Sequence, residues 1–310
     1  MIPPPVEVVG LGLNAMDTIC VGSPFPRPNI KNRLANVRLE PGGMVATALT
    51  TCARLGLSAR YIGSVGTDDW GKAQLESLRA ENLDVRFVRS VEGTTSQMAV
   101  IILEDGVGER TILWHRDPKL TFPVEQLRRE MILGAKILHV DGCDAAAALQ
   151  AARWAHEAGM PVVIDIDQSY DDTTDDLLRS VDYLIAAEDF SASTFGISDP
   201  EEAVRALESK YGRPVTGVTL GARGAIFSER GKILQSSAFK VPVVDTTGAG
   251  DVFRGAFIYG LLQKWTLPDV IRFSHATAAM KCTQLGARRG IPTIKQVRNF
   301  LEHAPPTQNF

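Results

Sequence analysis

Residues 245–251 read Asp-Thr-Thr-Gly-Ala-Gly-Asp and run straight into a long apolar helical pattern, VFRGAFIYGLL. Gly248 and Gly250 permit backbone angles that other residues avoid, and they let a ligand approach the main chain closely. A helix starting there presents unpaired N–H groups and the positive end of its dipole. Together these make an anion pocket, able to stabilise charge that develops on a transferring phosphoryl group. Asp251 stands at the rim, where a carboxylate can take the proton of a hydroxyl lined up on phosphorus. An aspartate in this place would also serve as an ordinary helix cap. The chain contains no GxxxxGK[ST] stretch, so the turn is not a Walker-type loop.

Other polar residues fall where ligands gather. Asp165 and Asp167 end the apolar run PVVIDID, the carboxyl end of a strand being where open α/β sheets bind ligands. His139 closes another such run and reads as a core residue, while His156 sits near a helix end whose dipole favours a cation. No HExxH or similar metal cluster occurs.

The elements that must position these groups alternate clearly in the second half. KILHVDG, PVVIDID, YLIAAE and VTGVTLG read as buried strands, separated by helical AAAALQAARWAHEAG, TDDLLRSVD and PEEAVRALESKYG. That alternation predicts βαβ units and a parallel sheet covered on both faces. A hairpin-like section follows. A strand-like run, Val241–Val244, then leads into the glycine turn, and two helices are expected at about 250–263 and 268–285. The first half interleaves helices with consecutive strand signals, DVRFVRSV, SQMAVIIL and RTILWHR, and an extended segment 18–40 broken by prolines. Consecutive β segments inserted in an α/β chain predict a small second sheet that covers the ligand crevice.

Composition bounds the rest. A chain of 310 residues with 45% hydrophobic content can bury one large core or a core with an appendage. A net charge of -3 gives no basic field for nucleic acid or an anionic membrane. Cys20, Cys52, Cys143 and Cys282 form no CxxC pair and read as reduced thiols. No signal peptide or membrane-length apolar run is visible, so a cytoplasmic location is expected.

The turn and its helix, DTTGAGDVFRGAF, closely resemble the C-terminal signature of the ribokinase-like (PfkB) family of carbohydrate kinases. PGGMVATALTTCARLGLSARYIGSVGTDDWG (41–71) resembles that family's N-terminal signature, VTLGARGA (218–225) its nucleotide-side strand and turn, and 276–292 its adenine-side wall. The segments occur in family order across about 6–302. The resemblance implies a three-layer α/β/α sandwich with a mainly parallel sheet and a small β-sheet lid. It would be a single unit, 1–310, with the lid inserted at about 14–40 and 86–118. It implies transfer of the γ-phosphate of ATP to a hydroxymethyl group of a sugar, with Mg²⁺ bridging the phosphates. Asp251 falls on the general base, and the backbone of Gly248, Ala249 and Gly250 on the anion hole. Asn14, Asp17, Gly42, Gly43 and Thr47 fall on the sugar side. Thr219, Gly221, Gly224, Ala279 and Gly286 fall on the nucleotide side. Asp245 and Thr247 resemble a monovalent-cation site, K⁺ in many members. A homodimer through the lid is also implied.

The chain departs from the family pattern in places. Met44 and Thr47 stand where asparagines are usual. The NxxE motif that organises Mg²⁺ reads Ala187 and Phe190 at its two key positions, leaving Glu188 or Asp189 to act through water or simply to start a helix. The stretches ERTILWHRDP and 238–292 look most like ketohexose-type kinases, including the sulfofructose branch. Lys31, in the expected lid, would bind an anionic sugar end or lie in solvent. Arg254 would bind a substrate anion or pair with a nearby acid. Arg110, Trp114, His115 and Arg116 would come from a lid strand. Two other functions remain open: an NAD(P)-dependent oxidoreductase using the GxGxxA stretch at 10–15, and a non-catalytic sugar or nucleotide sensor on the same scaffold.

Overall fold

A computed structural model describes residues 4–23, 25–104 and 110–304; the lid positions 24 and 105–109 lie outside the described residues. The described residues build thirteen strands in two sheets. Strands β1 (Val8–Leu11), β2 (Ala15–Gly22), β3 (Asn36–Gly42), β4 (Ala59–Gly66), β5 (Asp84–Val91), β6 (Met98–Glu104) and β7 (Arg110–His115) come from the first half. The second half supplies β8 (Ile137–Asp141), β9 (Val162–Ile166), β10 (Tyr183–Ala187), β11 (Val215–Thr219), β12 (Ala225–Glu229) and β13 (Lys232–Ser236). The main sheet runs β13-β12-β11-β10-β9-β8-β1-β4-β5, parallel from β11 to β5, with β12 and β13 antiparallel at one edge.

Strands buried on both faces read as unbroken apolar runs, and β1, β4, β8 and β9 are buried at every residue. Val9, Leu138 and Ile164 face one core. Val8, Ile137 and Val163 face the other, because successive side chains of a strand point to opposite faces. Over the first face lie α3 (Arg129–Ile132), α4 (Ala145–Glu157), α5 (Thr174–Leu178), α6 (Glu188–Phe195) and α7 (Pro200–Tyr211). Over the second lie α1 (Met44–Arg54), α2 (Asp69–Ala80), α8 (Ala249–Leu262), α9 (Leu267–Lys281) and α10 (Ile294–His303). The result is the expected three-layer sandwich. No helix among the described residues is long and apolar enough to cross a membrane.

The small sheet has the order β3-β2-β6-β7 and leaves the main body directly after β1. Ile19 and Ile101 line its buried face with Val21, Ala99 and Leu103. Three expectations are corrected here. The strand DVRFVRSV, expected in the lid, is β5, the parallel edge of the main sheet beside β4. Val241–Val244 form no strand: Pro242 has no N–H to donate, and the segment is held by Val244 N and Asp245 N on Cys282 O, at 2.8 and 3.2 Å. The GxGxxA stretch leads into β2 rather than a helix, so it offers no helix N-terminus for a dinucleotide pyrophosphate.

Two helices meet backbone to side chain beneath the cleft. Gly255 of α8 lies against α1, where a Cβ would come 2.4 Å from Ala48 O and 2.6 Å from Thr51 Cβ. Cys52 Sγ donates to Gly255 O at 3.4 Å. Gly255→Ala is therefore expected to force the helices apart and destabilise the fold by about 1–3 kcal/mol. Urea denaturation checks this, and an unchanged midpoint would show that the crossing is loose.

Candidate active site

A cleft of about 680 Å³ opens at the carboxyl ends of β1, β8, β9, β10 and β11, under the lid sheet. It lies where β1 has β4 on one side and β8 on the other, the switch point at which such sheets bind ligands. The turn 246–251 forms one wall. Gly248 caps α8 in the left-handed region, φ 75°, and a Cβ there would meet Ala287 Cβ at 2.8 Å. Asp245 is buried and ties the turn to the next loop, accepting from Thr247 N and Gly286 N, each at 2.8 Å. Ala249 N donates back to Thr246 O at 3.1 Å, which removes it from the expected anion hole. Gly248 N and Gly250 N have no acceptor among the described residues. Asp251 occupies the first helical turn rather than the cap position and makes no capping bond, so the cap reading falls away.

Acids crowd this floor. Asp165 and Asp167 share the cleft with Asp251. Burial and the neighbouring Asp165 carboxylate hold Asp251 well above the usual carboxylate range, with Arg254 pulling the other way. Arg254 is buried, 1% exposed. Its Nε lies 3.0 Å from Asp165 Oδ1, and its Nη2 donates to Ile185 O at 3.4 Å. Of the two readings of Arg254, the structure gives the one in which it pairs with an acid. A Cβ on Gly250 would come 2.8 Å from Arg254 Nη1, so the turn's second glycine makes room for this guanidinium.

The opposite wall carries Asp17, Gly43 and Met44. Asp17 is buried, and that burial pushes its pKa up to about 7 despite the nearby Arg288. Glycine at 42 leaves the Asp17 carboxylate its place, since a Cβ there would fall 2.1 Å from Asp17 Oδ2. Gly43 has φ 88° and backs onto Asn14, whose Cα would lie 2.5 Å from an added Cβ. Arg288 organises this wall: Nη2 donates to Asn14 Oδ1 at 2.9 Å and to Gly42 O, and Nε donates to Thr47 Oγ1 at 3.2 Å. Thr47 is fully buried against Arg288 and does not line the cleft, a correction to its expected substrate contact. Asn14 Nδ2 is buried without a partner. The sequence alone does not point to Arg288, since nothing in GARRG marks which arginine turns inward.

Thr219 lines the cleft at the end of β11 and donates to Ala186 O at 3.3 Å. Gly221 and Gly224 shape the next turn with φ 58° and 102°. Gly286 contacts Asp245, as above. Ala279 is a core residue of α9 rather than a wall of the cleft. Glu188 pairs with Arg223 outside the cleft, so its expected Mg²⁺ role is not supported, and Phe190 is buried beside it. Lys31 is exposed and away from the cleft. From the lid, Arg110 reaches across to Thr246 Oγ1. Arg116 pairs with buried Asp144 at 2.8 Å.

A lidded cleft between an anion-receiving helix start and a buried carboxylate wall, at the switch point of this sheet, defines a small-molecule kinase of ribokinase-like fold. Residues 6–294 match the profile of the pfkB family carbohydrate kinases, and the chain belongs to that family. It is a phosphotransferase acting on a sugar hydroxyl. Ribokinase of Haemophilus influenzae is 28% identical over 286 residues, covering 90% of this chain and 93% of that protein. A 5-dehydro-2-deoxygluconokinase of Clostridium perfringens is 26% identical over 321 residues, covering 96% and 92%. A solved structure of a candidate ribokinase from Agrobacterium tumefaciens has a TM-score of 0.89 at 26% identity, covering 96% of this chain and 99% of that one.

Gly42→Ala is expected to push Asp17 aside. The sugar KM should rise at least tenfold with nucleotide binding unchanged. Steady-state kinetics with each substrate varied in turn checks this; an unaltered sugar KM would remove Asp17 from the binding wall.

Proposed function

We propose that the chain transfers the γ-phosphate of ATP to the hydroxymethyl group of a neutral sugar, ketohexose-like in shape, with Asp251 as general base. The observation that carries this reading is the start of α8. There the Asp251 carboxylate and the acceptor-free N–H groups of Gly248 and Gly250 face one cleft with Asp17 across from them. A sugar hydroxyl held by Asp17 would present its neighbour to Asp251, while Asn14, buried and outside the cleft lining like Thr47, backs this wall through Arg288. The γ-phosphate would meet the amides of Gly248 and Gly250 and the Arg110 guanidinium, which has no carboxylate partner among the described residues. Preorganised donors of this kind stabilise charge where it develops.

A neutral substrate is favoured because the cleft's other cations are already engaged. Arg116 is paired with Asp144 and Arg254 with Asp165, while Lys31 lies outside. Among the described residues no cluster of three metal-type side chains exists. Mg²⁺ would therefore arrive with the ATP phosphates, with Asp167, in the cleft and free of an arginine ion pair, to meet its water shell. The ion would neutralise phosphate charge. ATP would enter along Thr219 and the Gly221–Gly224 turn. The lid's outward row Leu39–Thr18–Val100–Leu113 exposes Leu39 and Leu113. We assign it to contact with a second copy of the chain, in the cytoplasm.

ADP release with ribose, fructose, 2-keto-3-deoxygluconate, fructose phosphates, sulfofructose and nucleosides tests the substrate. A neutral sugar is expected to win, and an anionic winner would overturn the charge argument. Asp251→Asn should keep ATP and sugar binding while kcat falls about 10²–10⁴-fold; near-normal turnover would sink the base assignment. The sign of the pH dependence follows from the raised pKa. Asp251 must be ionised to act, so kcat/KM should fall as pH drops through a midpoint well above pH 4. A profile flat down to pH 5 would contradict it.

A further inference from the structure

The resemblance places a monovalent cation at Asp245 and Thr247, and the surroundings of Asp245 do not suit one. Lys281, the last residue of α9, is the one lysine buried among the described residues, at 0% exposure. Its ammonium donates to Asp245 O at 2.9 Å. The Asp245 carboxylate is already held by Thr247 N and Gly286 N, and Lys281 is the main opposite charge acting on it. The dependence is mutual, since Asp245 is the main acid acting on Lys281. Arg110 and Asp251 lie within reach of the same field.

A buried ammonium persists only where a carboxylate and good hydrogen-bond acceptors compensate it. Asp245 meets both needs, through its charge and its carbonyl. A potassium ion on the same carboxylate would be a second cation in one desolvated pocket, repelled by Lys281 and by Arg110. We propose that Lys281 is the chain's own substitute for that ion. Its ammonium fixes Asp245, whose carboxylate in turn holds the 286–289 loop through Gly286 N, and so holds the anion pocket open without potassium. Lys281 is thus a positioning residue. The inference rests on the kinase reading for its purpose but not for its test.

The test begins without turnover. Thermal melts of the ligand-free protein in potassium chloride and in tetramethylammonium chloride, at equal ionic strength, should give the same midpoint. Thallium(I) NMR should show no saturable site. Both readouts work even if every sugar proves inert, so failure of the kinase reading stays distinguishable. With an active sugar, kcat should be the same in the two salts. Lys281→Met removes the ammonium and should acquire what the parent lacks: a potassium-specific rise in melting temperature, a saturable thallium signal and a several-fold potassium activation of kcat. A parent protein that binds thallium, or that potassium activates several-fold, overturns the proposal. So does a folded Lys281→Met variant that stays indifferent to potassium. If that variant folds only when potassium is supplied, the proposal is supported; if it folds in neither salt, the measurements on the parent decide.

Discussion

The cleft depends first on the ion pair between Arg254 and Asp165. Asp251 and Asp165 sit on different elements, α8 and β9, and each repels the other's charge. Arg254 lies about one helical turn past Asp251, lies 3.0 Å from Asp165 and bonds the middle of β10 through Ile185 O. It thereby pins the start of α8 to the sheet at the place where the sheet's carboxyl ends open. Breaking such a buried pair leaves an uncompensated charge and is strongly destabilising. The glycine turn, Asp251 and the mouth of the cleft all inherit their position from this one contact.

The same device recurs around the site. Arg288 ends on Gly42 O, Lys281 on Asp245 O and Arg254 on Ile185 O. Each buried cation terminates on a main-chain carbonyl and ties together segments distant in sequence. Hydrogen bonds to charged donors are stronger than neutral ones, and a main-chain carbonyl keeps a second lone pair to offer. The loops of the cleft are irregular, and these three cations supply the fixed geometry that regular ladders supply elsewhere in the molecule.

The sandwich was legible because buried parallel strands leave apolar runs that helices separate, as the fully buried β8 and β9 do. The lid was legible in outline, from consecutive strands without helices. β5 was misplaced because Arg86 and Arg89 alternate with apolar neighbours in a way common to a lid strand and to the half-exposed edge of a main sheet. Val241–Val244 misled because β-branched composition cannot show that no neighbouring strand is there to pair with. In the site, the glycine turn and Asp251 stood out through local spacing, and Arg254 through its place one turn after Asp251, though not which acid it meets. Arg288 and Lys281 did not stand out, since each is defined by a partner far along the chain, and a charged side chain is by default expected at the surface.

The crossing at Gly255 has a consequence for how this enzyme can change. α1 begins at the Gly42–Gly43 pair beside Asp17, and α8 begins at Gly248 beside Asp251, so the two facing walls of the cleft are the first turns of two helices in near-backbone contact. The gap between these two walls is thus gauged by main-chain atoms rather than by adjustable side chains. New sugars can be accommodated by redecorating the lid and the loop after β9, but not by lengthening the step across which phosphorus travels. Variation in such a molecule is channelled toward what is recognised and away from the reach of the transfer itself.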